Sequence, residues 1–316
     1  MKNEQYSSLT TNLTELGRLI LGMRSAYSRG ENVMEYARNF SKLSVNLPES
    51  TMIAYDLQAG NYIEWTRLNN DLAKAWCKQL AELIKPYISS ETSLLEVGCG
   101  EATTLTGVLQ HMPLQPKHVL GFDISWSRCS YGLSWLMENH VKADLFVADL
   151  FSIPLEDDSI DVVYTSHSLE PNGGREEAAI KELIRIAKKA VILVEPIYEL
   201  ASREAQERMK ANGYVRGLYD AVANLGGTVR EYKLLEVNDN PLNPSGVLII
   251  EKQSNNNIDS IVWRCPLTFS QLMVSDEGYF APSTGVFYPI LSKIPVLRKE
   301  NAIIASAYQM NNPEFI

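Results

Sequence analysis

The chain opens with a pattern of apolar positions that is typical of amphipathic helices. From Leu9 to about Leu43, apolar residues recur every three or four positions. A second stretch of this kind runs from about Leu68 to Leu83 and stops before Pro86. The pattern therefore predicts a helical N-terminal cap over residues 1–85.

From Ser93 onward, short apolar runs alternate with helical patterns. This alternation predicts a doubly wound α/β fold, with a mostly parallel seven-stranded sheet covered by helices on both faces. A crossover helix is expected over Glu176–Lys189, where the basic Lys188-Lys189 end suits the helix dipole. A helical insert is expected around Arg203–Gly213. The predicted strands are Ser93–Val97, Val119–Phe122, Leu145–Val147, Ile160–Tyr164, Ala190–Val194, Val229–Val237 and Gly246–Lys252.

The last part of the chain has a different character. Ser254–Asn257 is short, polar and without periodicity, which is typical of a linker. The residues that follow are rich in Gly, Pro and aromatics, with little helical pattern before Asn301–Tyr308. We therefore expect three parts: the cap, a central α/β domain over 86–253, and a small β-rich module over 254–316.

Composition and charge narrow the class of protein. Of the 316 residues, 45% are apolar and 21% are charged, as in ordinary globular proteins. The formal net charge of −9 disfavours a broad cationic surface and hence a nucleic-acid partner. The four cysteines are far apart, which argues against a disulfide framework and against a cysteine zinc site. No secretory signal pattern or membrane-spanning apolar stretch is present, so we expect a cytoplasmic protein without a membrane partner.

A glycine turn follows the first predicted strand directly. Glu96-Val97 runs into Gly98-Cys99-Gly100, at the strand end where open α/β sheets bind ligands. A dinucleotide fingerprint would need glycine where Thr103 stands, and the lysine of a phosphate-binding loop is absent. Glu96 and Glu101 make the turn acidic, which suits a ligand carrying an ammonium and a sulfonium. By itself, the turn is equally compatible with a purely structural role.

Two further acids follow the next two strands. Asp123 ends the second strand, where a carboxylate can accept from both hydroxyls of a ribose. Asp149 follows the third strand, where a carboxylate can accept from the amino group of adenine. Either acid could instead cap a helix or lie on the surface.

In their order along the chain, these motifs resemble those of the class I S-adenosylmethionine-dependent methyltransferases. The resemblance covers about residues 93–252 and includes Ile153–Val163 and Ser166–Glu170; Pro171 and Lys188-Lys189 depart from the family pattern. It implies S-adenosylmethionine as the cofactor. The residues it assigns to cofactor binding are Glu96, Gly98, Cys99 and Gly100 at the methionine end, Asp123 and Ile124 at the ribose, and Asp149 and Leu150 at the adenine.

Two tyrosines before the central domain join this set. Tyr55 and Tyr62 lie in a segment that often folds over the cofactor in the family that the chain resembles. Aromatic residues near a domain junction can equally belong to a hydrophobic core. Tyr55 and Tyr62 are therefore predicted cofactor contacts with a structural alternative.

The chemistry of transfer points to the loop after the fourth strand. His167 lies there, and the ordinary pKa of an imidazole suits a general base for a hydroxyl acceptor. Glu170 could hold that histidine or cap the loop, and His167 could instead pack beside the adenosine. The stretch Thr165–Ser168 lacks the Asn/Asp-Pro-Pro-aromatic motif common in enzymes that methylate amide or adenine nitrogens. This departure favours an oxygen or carbon acceptor.

The C-terminal module resembles the small zinc-ribbon activator subunit of some methyltransferases, through Tyr288-Pro289-Ile290 and Ile294–Leu297. Four ligands are needed for such a zinc site and Cys265 is the one cysteine of the segment, so a metal-free ribbon is predicted.

The prediction as a whole is a methyltransferase that acts on a small-molecule or glycan acceptor, at a hydroxyl group. Methylation of RNA or protein is one alternative. A non-catalytic subunit that docks a partner through the C-terminal module is another. The sequence also leaves a homodimer open.

Overall fold

The computed structural model describes residues 13–43, 46–238, 240–252 and 260–308. The chain forms two compact units, Met1–Ala59 and Gly60–Ile316. The expected linker at Ser254–Asn257 lies outside the described residues. The domain boundaries expected after residues 85 and 253 stay predictions.

The first unit is helical. It contains α1 (Leu13–Ser28), α2 (Val33–Ser41) and α3 (Pro48–Leu57). The side chain of Asn32 accepts hydrogen bonds from the amides of Met34 and Glu35 and so caps α2. The helical periodicity expected from Leu9 is confirmed for the described residues, although it forms separate helices. The buried core of this unit contains Leu19, Met23, Ala26, Val33, Ala37, Ile53 and Ala54.

The second unit contains a seven-stranded sheet of order β3-β2-β1-β4-β5-β7-β6. Strands β1 to β5 are parallel, and β7 runs antiparallel to both of its neighbours. All seven expected strands and the doubly wound fold are confirmed. The strands are β1 Ser93–Val97, β2 His118–Asp123, β3 Asp144–Val147, β4 Ile160–Ser166, β5 Ala187–Pro196, β6 Thr228–Leu234 and β7 Ser245–Glu251.

Helices cover both faces of this sheet, because successive strand residues point to opposite sides. Leu94 packs in a buried cluster with residues of α5, α6 and α7, whereas Leu95 packs with residues of α8 and α10. The helices of this unit are α4 Asn61–Leu68, α5 Asn70–Ile84, α6 Thr103–His111, α7 Trp126–Glu138, α8 Glu176–Ile186, α9 Arg203–Ala211 and α10 Leu218–Asn224.

The crossover helix is shorter than expected. It ends at Ile186, and Ala187 already pairs with Ile160 of β4. The placement of Lys188-Lys189 at the helix end was therefore wrong, since both lysines lie in β5. Lys189 instead forms an ion pair of 2.9 Å with Asp161. Pairing with β4 outweighs the helical pattern at this point.

The C-terminal module forms a small antiparallel sheet of order β11-β10-β9-β8, with β12 on β10. Its β-rich character is confirmed. The helical pattern expected over Asn301–Tyr308 was wrong, because Ile303-Ile304 pair with Val286-Phe287. The strands are β8 Met273–Val274, β9 Gly278–Ala281, β10 Val286–Leu291, β11 Ile294–Pro295 and β12 Ile303–Ile304.

This module packs on the β3 edge of the large sheet. Val296 pairs with Val147 in a parallel bridge, and the amide of Leu297 donates to the Val147 carbonyl at 2.8 Å. Three more hydrogen bonds tie the loop after β3 to the module: Glu156 N to Val262 O (2.9 Å), Arg264 N to Pro154 O (3.1 Å) and Ser152 Oγ to Pro266 O (3.0 Å).

Within the ranges that the structure describes, no helix combines the length and the apolar character needed to cross a bilayer.

The close packing of α5 on α6 gives a first prediction. A Cβ atom added at Gly107 would lie 2.4 Å from the Sγ of Cys77 and 2.7 Å from its Cβ. Gly107→Ala should therefore lower the free energy of unfolding by roughly 1–3 kcal/mol, the usual cost of overpacking. Gly17→Ala is the matched control, because a Cβ there meets nothing within 4 Å, and it should raise helix stability by up to about 1 kcal/mol. Urea denaturation followed by circular dichroism measures both, and equal effects would contradict the packing argument.

Candidate functional site

The glycine turn after β1 is built on backbone conformations that favour glycine. Gly98 and Gly100 have φ values of 67° and 53°. The amide of Cys99 donates to the carbonyl of Phe122 at 2.8 Å, which fixes the turn to β2. A Cβ at Gly98 would lie 2.3 Å from the Cβ of Ser168, so the turn passes close against the loop after β4.

Asp123 holds this turn from the neighbouring strand. Its Oδ2 accepts from the amide of Gly100 at 3.0 Å, and its Oδ1 accepts from the amide of Ser125 at 2.9 Å. Burial raises the pKa of Asp123, and the nearby Arg128 guanidinium opposes the rise. Its carboxylate thus fixes both the turn and the start of α7, next to the half-buried Ile124.

Glu96 is a buried carboxylate with an unused acceptor atom. Its side chain is 1% exposed, and Oε2 has no hydrogen-bond partner among the described residues. Burial raises the pKa of Glu96 to about 8; Tyr164 and the backbone of Leu105 oppose the rise, and the Asp123 carboxylate adds to it. A cation beside Glu96 would supply the missing electrostatic partner.

Asp149 lies at the end of β3. Its Oδ1 accepts from the amide of Phe151 at 2.9 Å, and the half-buried Leu150 packs against the core. Arg175 places its guanidinium 3.3 Å from the centroid of the Phe151 ring. Burial lowers the pKa of Arg175, and the negative charge of Asp149 opposes that decrease.

The sheet places the three acids side by side. Asp149, Asp123 and Glu96 stand at the carboxyl ends of β3, β2 and β1, which are consecutive in the sheet. The amide of Ala148 donates to the carbonyl of Asp123 at 3.1 Å, which joins the first two ends. Neighbouring strands lie about 4.8 Å apart, so the acids share one edge of the sheet.

Glu101 has a different position from the one expected. It was expected to make the turn acidic toward a ligand, but its carboxylate accepts from the amides of Gly60 (2.9 Å) and Ile63 (2.8 Å). It is fully buried and caps the N-terminus of α4. This contact brings Tyr62 to the turn, where Cδ2 of its ring lies 3.5 Å from the position of a Cβ at Gly100.

The tyrosine ring also contacts α7. The Arg128 guanidinium lies 4.4 Å from the centroid of the Tyr62 ring. Tyr55 belongs to α3 in the first unit, and its contact with the cofactor stays a prediction.

Both ring nitrogens of His167 are engaged. Nδ1 lies 3.0 Å from Oε2 of Glu170, and Nε2 lies 2.6 Å from Oγ of Ser245. Trp76 packs edge-on against the imidazole at 5.6 Å between ring centroids. The backbone of His167 is left-handed, with φ 59°, and its side chain remains 31% exposed.

Glu170 is the centre of this network. Its Oε1 accepts from the Nδ2 of Asn243 at 3.3 Å, in addition to its contact with His167. Burial, followed by Glu170, raises the pKa of Tyr214 to about 12. Glu170 therefore holds His167 and two neighbouring polar side chains in place.

Sequence reasoning missed three members of this site. Ser245 and Asn243 stand more than seventy positions after His167, and no local pattern connects them to it. The contacts of Glu195 were likewise not foreseen. Its carboxylate accepts from the amides of Ser168, Leu169 and Glu170.

Across the described part of the chain, no group of three His, Cys, Asp or Glu residues could hold a metal ion.

Comparison with known proteins gives one family match. Residues 94–190 match the family model described as "Methyltransferase domain". No curated protein matches.

Several solved structures are similar to part of the chain. A putative methyltransferase from Haloferax volcanii, solved with a methyltransferase activator, is 15% identical over 63% of this chain and 98% of that chain, with a TM-score of 0.49. Magnesium protoporphyrin IX methyltransferase from Synechocystis, with bound S-adenosylmethionine, is 14% identical over 64% and 96%, with a TM-score of 0.48. Geranyl diphosphate C-methyltransferase from Streptomyces coelicolor is 11% identical over 55% and 78%, with a TM-score of 0.43.

The site's own geometry fits the ligand that the family match implies. The orphaned acceptor atom of Glu96 suits a positively charged ligand, and the left-handed glycines allow close approach of the backbone. Glu96, Asp123 and Asp149 all lie within the matched residues 94–190. Residues 94–190 therefore form a methyltransferase domain, with S-adenosylmethionine as its cofactor.

Proposed function

We propose that this protein transfers a methyl group from S-adenosylmethionine to a hydroxyl of a small molecule or glycan. The observation that carries the proposal is the hydrogen-bonded series Glu170–His167–Ser245, which lies next to Ser168 and hence next to the glycine turn. A hydroxyl acceptor must lose a proton on transfer, and an oriented imidazole is the group best suited to take it.

The contacts of His167 define which nitrogen can act as the base. Glu170 as a carboxylate accepts hydrogen bonds, so Nδ1 carries the ring proton and Nε2 carries the lone pair. The hydroxyl of Ser245 then donates to Nε2. An acceptor hydroxyl can replace the Ser245 hydroxyl and donate directly to Nε2. Alternatively, it can donate its proton to the Ser245 oxygen while Ser245 passes its own proton to Nε2.

When bound, S-adenosylmethionine supplies a methyl group on a positively charged sulfur, which leaves as a neutral thioether. The protein mainly orients the acceptor and excludes water. The proposed cofactor contacts are Glu96, Gly98, Cys99 and Gly100 at the methionine end, Asp123 and Ile124 at the ribose, Asp149 and Leu150 at the adenine, and Tyr55 and Tyr62 as a cover.

The C-terminal module is proposed to act without metal. The Sγ of Cys265 is fully buried, lies 3.4 Å from the hydroxyl of Tyr288 and accepts from the amide of Thr268. These contacts favour a structural cysteine over a zinc ligand. A cytoplasmic location belongs to the same proposal.

The decisive experiment is a screen of sugars, nucleotide sugars and phenols for release of S-adenosylhomocysteine by the purified protein. Release with a hydroxyl acceptor supports the proposal. Release from a cell extract that disappears after nuclease or protease treatment would favour RNA or protein as the acceptor. Calorimetry with S-adenosylmethionine is the companion measurement. If no binding heat is detected at millimolar ligand, the protein is not a methyltransferase, and the non-catalytic binding subunit is favoured instead.

Replacement of the proposed ribose acid tests the cofactor site. Asp123→Asn removes a charged acceptor from the amides of Gly100 and Ser125, so the Kd for S-adenosylhomocysteine should rise roughly tenfold to a hundredfold. Asp144→Asn, at the exposed start of β3, is the control and should leave that Kd unchanged. Isothermal calorimetry gives both values, and an unaltered Kd in Asp123→Asn would remove this residue from the site.

The buried state of Glu96 predicts pH-dependent binding. Its pKa of about 8 leaves it largely protonated at pH 7, and the sulfonium favours the carboxylate. S-adenosylmethionine binding should therefore release a proton, with affinity rising by up to about tenfold per pH unit until pH 8.

Calorimetry in two buffers of different ionisation enthalpy counts the released protons. Glu96→Gln is the control that separates this residue from the ligand's own titration. An identical pH profile in both proteins would show that Glu96 does not interact with the positive charge of S-adenosylmethionine.

His167 is tested once an acceptor is found. His167→Ala should reduce kcat by roughly a hundredfold or more, the usual contribution of a general base, while the cofactor Kd stays within twofold of wild type. His118→Ala, at the exposed start of β2, is the matched control. Unchanged turnover in His167→Ala would exclude this histidine as the base.

A further inference from the structure

Glu195 stands at the carboxyl end of β5 and is fully buried. Three consecutive backbone amides donate to its carboxylate. Those of Ser168 and Leu169 reach Oε1 at 3.0 and 3.1 Å, and that of Glu170 reaches Oε2 at 3.0 Å. Hydrogen bonds to a charged acceptor are about twice as strong as neutral ones, so the ionised carboxylate is a strong restraint on the loop after β4.

The loop needs such a restraint because its conformation is costly. His167 is left-handed at φ 59°, which disfavours the residue by about 1–2 kcal/mol. Ser168 is pressed against Gly98, although its own Oγ is buried without a hydrogen-bond partner among the described residues. The side chain of Ser168 therefore does not hold this residue in place. The hydrogen bond from its backbone amide to Glu195 does.

Glu195 also interacts with charged side chains of the loop. His167 and Glu170, both in the loop itself, act on its carboxyl electrostatically. On β7 the residue opposite is Gly246, which carries no side chain. Burial raises the pKa of Glu195 to about 7, and His167 opposes the rise.

We propose that Glu195 is a positioning residue that sets the loop 167–170 against the glycine turn, and so fixes both the cofactor pocket and the imidazole of His167. It acts through the backbone amides of the loop and does not touch the reacting atoms. The inference deepens the proposed function and rests on its assignment of His167.

Glu195→Gln tests the role with little change of volume. An amide presents one acceptor oxygen and an NH₂ group that cannot accept, so at least one of the three loop amides loses its partner. The Kd for S-adenosylhomocysteine should rise about tenfold, within the range expected for a lost hydrogen bond to a charged group. The titration midpoint of His167, followed by NMR, should fall because a neighbouring negative charge is removed.

Asp161→Asn is the matched control. Asp161 is also a buried carboxylate that accepts from a backbone amide, that of Ser93 at 2.9 Å, but it stands near the opposite end of β4. It should lower the melting temperature without changing the ligand Kd or the His167 midpoint. If Glu195→Gln behaves in the same way, Glu195 is merely structural and the inference fails.

The wild-type protein provides a second test that does not depend on a folded variant. The amide proton shifts of Ser168, Leu169 and Glu170 should follow the titration of the Glu195 carboxyl carbon with one midpoint. Three unrelated midpoints, or no change, would overturn the inference. These NMR tests stand even if no hydroxyl acceptor is found or S-adenosylhomocysteine fails to bind, so the two proposals can fail separately.

Discussion

The Gly100 amide donates to the Asp123 carboxylate, and the rest of the site depends on that contact because it fixes where the chain turns after β1. The bond joins a left-handed residue, which favours glycine, to a buried charge on the next strand. With the Cys99–Phe122 backbone bond, it holds the turn at two points. The turn can then lie against Ser168 on its other side, which places the loop after β4 directly beside the turn.

The order of the strands in the sheet determines the order of the ionisable side chains along its carboxyl edge. The ends of β3, β2, β1, β4 and β5 carry Asp149, Asp123, Glu96, His167 and Glu195 in that sequence. Each step is about 4.8 Å, so the row from Asp149 to Glu96 spans about 10 Å. The proposed roles follow the same direction, from the adenine through the ribose and the methionine to the acceptor. The spacing of the paired strands thus sets the separation of the proposed cofactor and acceptor residues.

Sequence reasoning predicted the parts of this arrangement that depend on local periodicity. The strands and their terminal acids follow from short apolar runs that end in Glu96, Asp123 and Asp149, and the strands were confirmed. Contacts between distant segments were not predictable, because nothing near Glu101 shows that it caps α4, and nothing near Glu195 shows that it binds three amides. Helix ends were predicted wrongly where strand pairing determines them. At Ile186 the helix ends because the next residue already pairs with β4.

Burying Glu96 and Glu195 has a cost that links stability to the ligand. The pKa values of both carboxyls, about 8 and about 7, lie above the ordinary value of 4.5, so the folded protein binds protons more tightly than the unfolded chain does. The corresponding stability is fully present below pH 4.5 and is lost as pH rises through 7 and 8. A positive sulfur beside Glu96 would offset that loss, because it favours the carboxylate that burial disfavours. The same side chain therefore makes the folded protein less stable at alkaline pH and more selective for a cation.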